Sequence, residues 1–118
     1  MVRVVLDPGV LIAAVITPDG VCGHVLQAVI DQRCTTIVCP VLLDELEDVL
    51  LRSKFRRYLP IEHVPQYVAL IGRIGETHPD PVTSPGRTPD PDDDYLVALA
   101  EAAAMDYLIS GDPHLTDL

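Results

Sequence analysis

The apolar residues of this chain come in short, largely β-branched runs, and each early run is followed by a helical stretch rather than by a tight turn and a second strand. Arg3 to Leu6, Thr35 to Cys39 and Asp106 to Ser110 read as strands. Pro8 suits the first turn of a helix, where its fixed φ fits and its missing N–H costs nothing. Val10 to Ile16 continues that helix, Thr17-Pro18-Asp19-Gly20 breaks it, and Val21 to Asp31 forms another. Further helices fit Pro40 to about Ser53, Ile61 to about Ile74 with Pro65 near its start, and Asp93 to Met105. The proline-rich stretch from Glu76 to Pro91 reads as a loop. Strands alternating with helices imply a parallel sheet with right-handed crossovers, hence an α/β fold.

With 118 residues, 48% of them hydrophobic, the chain has enough for one domain over residues 1–118 and one core. Only one Phe, four Tyr and no Trp are present, so that core is aliphatic. The run Val10 to Ile16 falls far short of the roughly 20 residues that span a bilayer. The N-terminus lacks the separate basic and apolar regions of a signal peptide. Cys22, Cys34 and Cys39 are an odd number without a C-x-x-C pair, which favours reduced thiols over disulfides or a zinc site. These features predict a cytoplasmic protein with no membrane partner.

The net charge of −10 argues against general nucleic-acid binding, since affinity for phosphates comes from Lys and Arg. The basic residues are unevenly spread, however. Arg52, Lys54, Arg56 and Arg57 hold four of the eight, either as solvated surface or as the one phosphate-facing patch.

The acids carry the functional signal. In an open parallel sheet, ligands bind beyond the carboxyl ends of the strands. Asp7 ends the first strand and Asp112 follows the last, so both belong to the same rim. A single strand-end Asp is most simply a helix N-cap, but a second one weakens that account. On the helix from Pro40, Leu42, Leu43, Leu46, Val49 and Leu50 form the apolar stripe. Asp44 and Asp48 fall opposite it, whereas Glu45 and Glu47 sit one on each border, and periodicity does not choose between them. In Asp90-Pro91-Asp92-Asp93-Asp94, Asp93 shares a helical face with Val97, Ala100 and Ala104. A carboxylate on that face needs a cation or a donor. Hard oxygen donors suit Mg²⁺ or Mn²⁺, and the chemistry that matches is phosphodiester hydrolysis. The four histidines are dispersed, and neither G-x-S-x-G nor a phosphate-binding glycine loop occurs.

Val4-Val5-Leu6-Asp7, Pro40 to Leu50 with Glu45, Asp90-Pro91-Asp92-Asp93 followed by Ala100, and Leu108-Ile109-Ser110-Gly111-Asp112 together resemble the PIN-domain nucleases. The branch most similar is that of toxin components of toxin–antitoxin pairs. The resemblance runs through nearly the whole chain, in order. It implies a three-layer α/β/α fold with a central parallel sheet, here with its final strand missing. It also implies a Mg²⁺- or Mn²⁺-dependent endoribonuclease, with RNA as substrate and a cognate antitoxin as partner. The metal-binding acids would be Asp7, Glu45, Asp93 and Asp112, with Asp90 and Ser110 in support, and the resemblance selects Glu45 over Glu47. Arg52, Lys54, Arg56 and Arg57 would meet the RNA.

This chain departs from the family's usual Asp-Thr-Asn, having Asp7-Pro8-Gly9, and has Cys39 where Ser often caps the next helix. Loss of groups that orient a metal-binding residue typically costs about 10–100-fold in affinity or activity. An alternative reading is therefore a catalytically impaired PIN-fold protein that engages RNA or an antitoxin without turnover. A phosphoacceptor domain is disfavoured because Lys54, the only lysine, is not at the end of a late strand. A sheet with an open edge would be covered in a homodimer.

Overall fold

A computed structural model of the chain describes residues 2–81, 94–103 and 107–109. Strand β1 (Val2–Leu6) leads into helix α1 (Pro8–Ile16), and after a tight turn α2 (Val21–Ile30) returns to β2 (Cys34–Val38). Helix α3 (Pro40–Leu50), 3₁₀ turns at Ser53–Phe55 and Ile61–His63, and α4 (Val64–Ile74) lead to β3 (Glu76–Thr77). Helix α5 (Asp94–Ala102) and strand β4 (Tyr107–Ile109) complete the described elements. The sheet has the order β3-β2-β1-β4, and every pairing is parallel. The steps from β1 to β2 and from β2 to β3 go the same way. Right-handed crossovers put their helices on one face, and the return to β4 carries α5 across the other. This is the three-layer α/β/α arrangement expected.

Register determines which side chains share a face. Val5 pairs with Ile37 and with Leu108, and Ile37 pairs with Glu76, so these four lie on one side of the sheet. Val5 and Ile37 are fully buried, as are Leu42, Leu46 and Leu50, which place one leucine per turn of α3 in the core. Arg3 starts on the same face as Val5. Its Nη1 donates to the Ala103 carbonyl at 2.6 Å, and its Nη2 pairs with Glu76. His78 Nε2 lies 2.6 Å from the same Glu76 oxygen, and His78 and Arg3 hold that carboxyl below its ordinary range. On the other side, Tyr67 of α4 donates its hydroxyl to the Leu11 carbonyl of α1 at 2.8 Å, and burial pushes the phenol up.

Two boundaries differ from expectation for identifiable reasons. Helix α3 stops at Leu50 instead of near Ser53. Leu42, Leu46 and Leu50 recur every four residues, so a continued helix would point Lys54 inward. The chain breaks into a 3₁₀ turn instead, and Phe55 enters the core at 7% exposure. Strand β3 lies inside the expected loop. It is two residues long and polar, and only its backbone pairing with Ile37 and Val38 makes it a strand. Among the described residues, no single helix is long and apolar enough to cross a membrane.

A helix start needs donors satisfied, and α3 meets this from far away in sequence. Cys39, at the N-cap, makes no side-chain cap bond. Instead the Val41 amide donates to Asp80 Oδ1 at 2.8 Å, which ties the segment after β3 to the top of α3. Burial, together with Asp80 nearby, pushes the Cys39 thiol up to about 11. Substituting Asp80→Ala should cost about 0.5–2 kcal/mol of stability in urea unfolding, the usual worth of an N-cap. An unchanged midpoint would show that water replaces the carboxylate at no loss.

The α1–α2 corner has its own constraint. A Cβ built at Gly23 would lie 1.9 Å from the Pro18 carbonyl oxygen, a backbone atom that cannot swing aside. Gly23→Ala should therefore force the two helices apart and lose about 1–3 kcal/mol, as overpacking does. Wild-type stability of that variant by thermal and urea unfolding would rule out the close approach.

Candidate functional site

The carboxyl ends of the parallel strands form one rim. Asp7 follows Leu6 at the end of β1, a strand flanked on both sides by β2 and β4. Its backbone N–H donates to the Ile109 carbonyl at 3.1 Å, so the end of β4 is joined to the residue that begins the site. Its side chain turns to the start of α1, where Oδ1 accepts from the Val10 amide at 2.9 Å. Asp7 is only 6% exposed. A buried carboxylate is costly without donors or a cation, and a helix start offers both amides and the positive end of the dipole.

This contact alters the meaning of Pro8-Gly9. The two residues lack the polar side chains of Thr and Asn, but Pro8 occupies the first helical turn and leaves the Val10 N–H to orient Asp7. Gly9 also matters sterically, because a Cβ there would come within 3.0 Å of Asp7 Oδ1. A larger residue must therefore push the carboxylate or the helix start by a few tenths of an ångström.

Glu45 lies one and a half turns into α3, with intermediate burial. Its Oε2 accepts a 2.6 Å hydrogen bond from the Tyr95 hydroxyl, which arrives from the first turn of α5. Tyr95 is 8% exposed. Burial above all, with the bond to Glu45 and its charge, pushes its phenol up, so the hydroxyl keeps its proton and acts as a donor. Glu45 of α3 and Tyr95 of α5 are thus joined by a direct hydrogen bond. Beside it opens a shallow depression of about 420 Å³ lined by Val41, Asp44, Glu45, Asp48 and Tyr95. With Asp44 and Asp48 exposed and Glu45 on its wall, this depression suits a cation better than a phosphate.

Asp93, Asp112, Asp90 and Ser110 lie outside the described residues. The elements adjoining them are described. Helix α5 starts at Asp94 and brings Tyr95 to Glu45, and β4 ends at Ile109 in register with Leu6. Among the described residues no group of three or more His, Cys, Asp or Glu could hold a metal; of the four acids expected to bind one, Asp7 and Glu45 are described. Both are carboxylates, and hard oxygen donors suit Mg²⁺ or Mn²⁺.

The basic cluster sits elsewhere. Arg52 follows α3 at its C-terminal end, roughly 10 Å along the helix axis from Glu45. Arg52, Lys54 and Arg57 are exposed. Lys54 lies 5.2 Å from the Phe55 ring centre, and Arg57 lies 5.3 Å from that of Tyr58. Arg56 differs from them. It is turned inward, with Nη2 donating to the carbonyls of Leu50 and Arg52, so it closes the C-terminus of α3 and does not project to a phosphate. Cations at a helix C-terminus are also favoured by the dipole, which accounts for part of the cluster without RNA.

Tyr95 carries no signal in the sequence as a site residue. An isolated Tyr on an Ala- and Leu-rich helix reads as core, and only the meeting of α5 and α3 at the rim brings its hydroxyl to Glu45.

The chain is 28% identical over 118 residues to the uncharacterized protein MJ1680 of Methanocaldococcus jannaschii, a match that covers 99% of this chain and 75% of the relative. No solved structure matches it. A model of the PIN domain matches residues 3–114, nearly the whole chain. PIN domains are in general metal-dependent nucleases that use divalent ions, and a rim where β1, α3, α5 and β4 meet is what such a fold offers. On that match, and on the sheet and rim described, this chain belongs to the PIN domain family.

Proposed function

We propose that this protein is a Mg²⁺- or Mn²⁺-dependent endoribonuclease, the toxin half of a toxin–antitoxin pair acting in the cytoplasm. The observation that carries the reading is the buried strand-end acid Asp7 together with Glu45, whose carboxylate the Tyr95 hydroxyl binds beside an acid-lined depression, in a chain of the PIN domain family. Asp7, Glu45, Asp93 and Asp112 would hold the metal, with Asp90 and Ser110 in support. A bound ion would lower the pKa of the attacking water and offset charge developing on the phosphate. The chain's own groups do the positioning. The Val10 amide aims Asp7, and the Tyr95 hydroxyl aims Glu45.

The alternative reading, a fold that binds RNA or an antitoxin without turnover, draws on Pro8-Gly9. The Val10 donor to Asp7 weakens it, because the acid is oriented without Thr or Asn beside it. A cleavage assay on RNA with Mg²⁺, Mn²⁺ or EDTA separates the two. Cleavage that EDTA abolishes, and that Glu45→Gln and Asp93→Asn each lower by about 10²-fold or more, supports the nuclease. Metal-dependent cleavage surviving in both variants would remove the proposed site. Turnover seen only after replacing Pro8-Gly9 by Thr-Asn would favour the binding protein.

For RNA binding, Arg52, Lys54 and Arg57 are the residues we propose to meet phosphates, with Arg56 serving the end of α3. Reversing those three charges should weaken binding. It should also make the log–log slope of affinity against salt shallower, by about 0.7 for each phosphate that is no longer neutralised. Binding that keeps its affinity and its salt slope would leave the cluster as solvated surface.

A further inference from the structure

We infer that Tyr95 is a positioning residue for metal binding, its hydroxyl holding the Glu45 carboxylate in the orientation in which it meets the ion. The inference rests on the reading of Glu45 as a metal-binding acid and adds a residue to it. Glu45 sits on a helix and has three side-chain torsions, so nothing in its own element fixes where its oxygens point. The 2.6 Å bond from Tyr95 ties Oε2 across the gap between α3 and α5. Tyr95 is itself immobilised: its ring is 8% exposed and packs with the core cluster, so its hydroxyl is a rigid donor and not a swinging one.

A purely structural account also exists for a buried tyrosine, since such hydroxyls usually find an acceptor. The acceptor chosen here argues against it. Tyr67, which is half-buried, bonds a backbone carbonyl of α1. Tyr95 instead bonds a partly exposed carboxylate on the wall of the depression shared with Asp44 and Asp48. A charge-assisted bond of this kind orders a side chain that water would otherwise solvate freely. It also leaves Glu45 a second oxygen for a ligand.

Titration of the intact protein with Mn²⁺ alone, followed by calorimetry or by the electron spin resonance of free Mn²⁺, tests this without any turnover. Tyr95→Phe keeps the ring and its packing, so its thermal unfolding midpoint should stay near that of the wild type. Its Mn²⁺ affinity should fall by about 10-fold or more, the usual effect of losing a group that orients a metal-binding residue. Glu45→Gln should fall at least as far, and the double variant no further than Glu45→Gln alone, because the hydroxyl acts through that carboxylate. Wild-type affinity in Tyr95→Phe alongside a weakened Glu45→Gln would overturn the role of Tyr95 while leaving the metal site standing. Additive losses in the double variant would also overturn it. Wild-type affinity in Glu45→Gln would overturn the reading of Glu45 itself.

Discussion

Asp7 is the point on which the rest of the structure turns, because one residue meets three requirements at once. Its backbone extends the pairing of β1 with β4 through the Ile109 carbonyl, and its side chain caps α1 at the Val10 amide. It then remains as a carboxylate, 6% exposed, at the end of the strand that is paired on both sides. A cap of this kind is worth roughly 0.5–2 kcal/mol. The larger consequence is geometric. A short strand and a helix joined by a single residue leave that residue almost no freedom, so an acid at this junction is held in place even though Pro8 and Gly9 offer it no side-chain donor.

The other half of the site is less tightly built. Glu45 belongs to α3, and α3 owes its position to contacts from distant parts of the chain. Leu42, Leu46 and Leu50 bury one edge, Asp80 caps the first turn, and Arg56 closes the last. Each of these fixes the helix, and none fixes the end of the Glu45 side chain. That task falls to Tyr95, from an element on the opposite face of the sheet. Asp7 is thus set by local backbone geometry and Glu45 by tertiary contact.

Much of this is legible in the sequence. The strand at Arg3 to Leu6, the helix start at Pro8, the break at Thr17-Pro18-Asp19-Gly20 and the helix from Pro40 all follow from local rules that hold wherever a segment is packed. The solvated character of Asp44 and Asp48 follows from a period of 3.6 residues. The features that escape such rules have a common cause. Strand β3 exists only as a partner for Ile37 and Val38, and the end of α3 is set by where Phe55 can be buried. The basic run looks uniform in sequence, yet Arg56 closes a helix while its neighbours face solvent. All three depend on neighbours outside the local pattern, which periodicity does not register.

Sequence by itself determined the alternation of strands and helices, and with it that the carboxyl ends of the strands would share a rim. The reason is that parallel strands joined by right-handed crossovers leave no other edge for those ends. Tertiary structure alone decided how the acids are held. The Glu45 carboxylate is held by the Tyr95 hydroxyl 2.6 Å away, and Asp7 by the amide of Val10. Helical periodicity locates a residue on a face to within a border position. Only packing fixes the last few ångströms, and those decide which donor meets which oxygen.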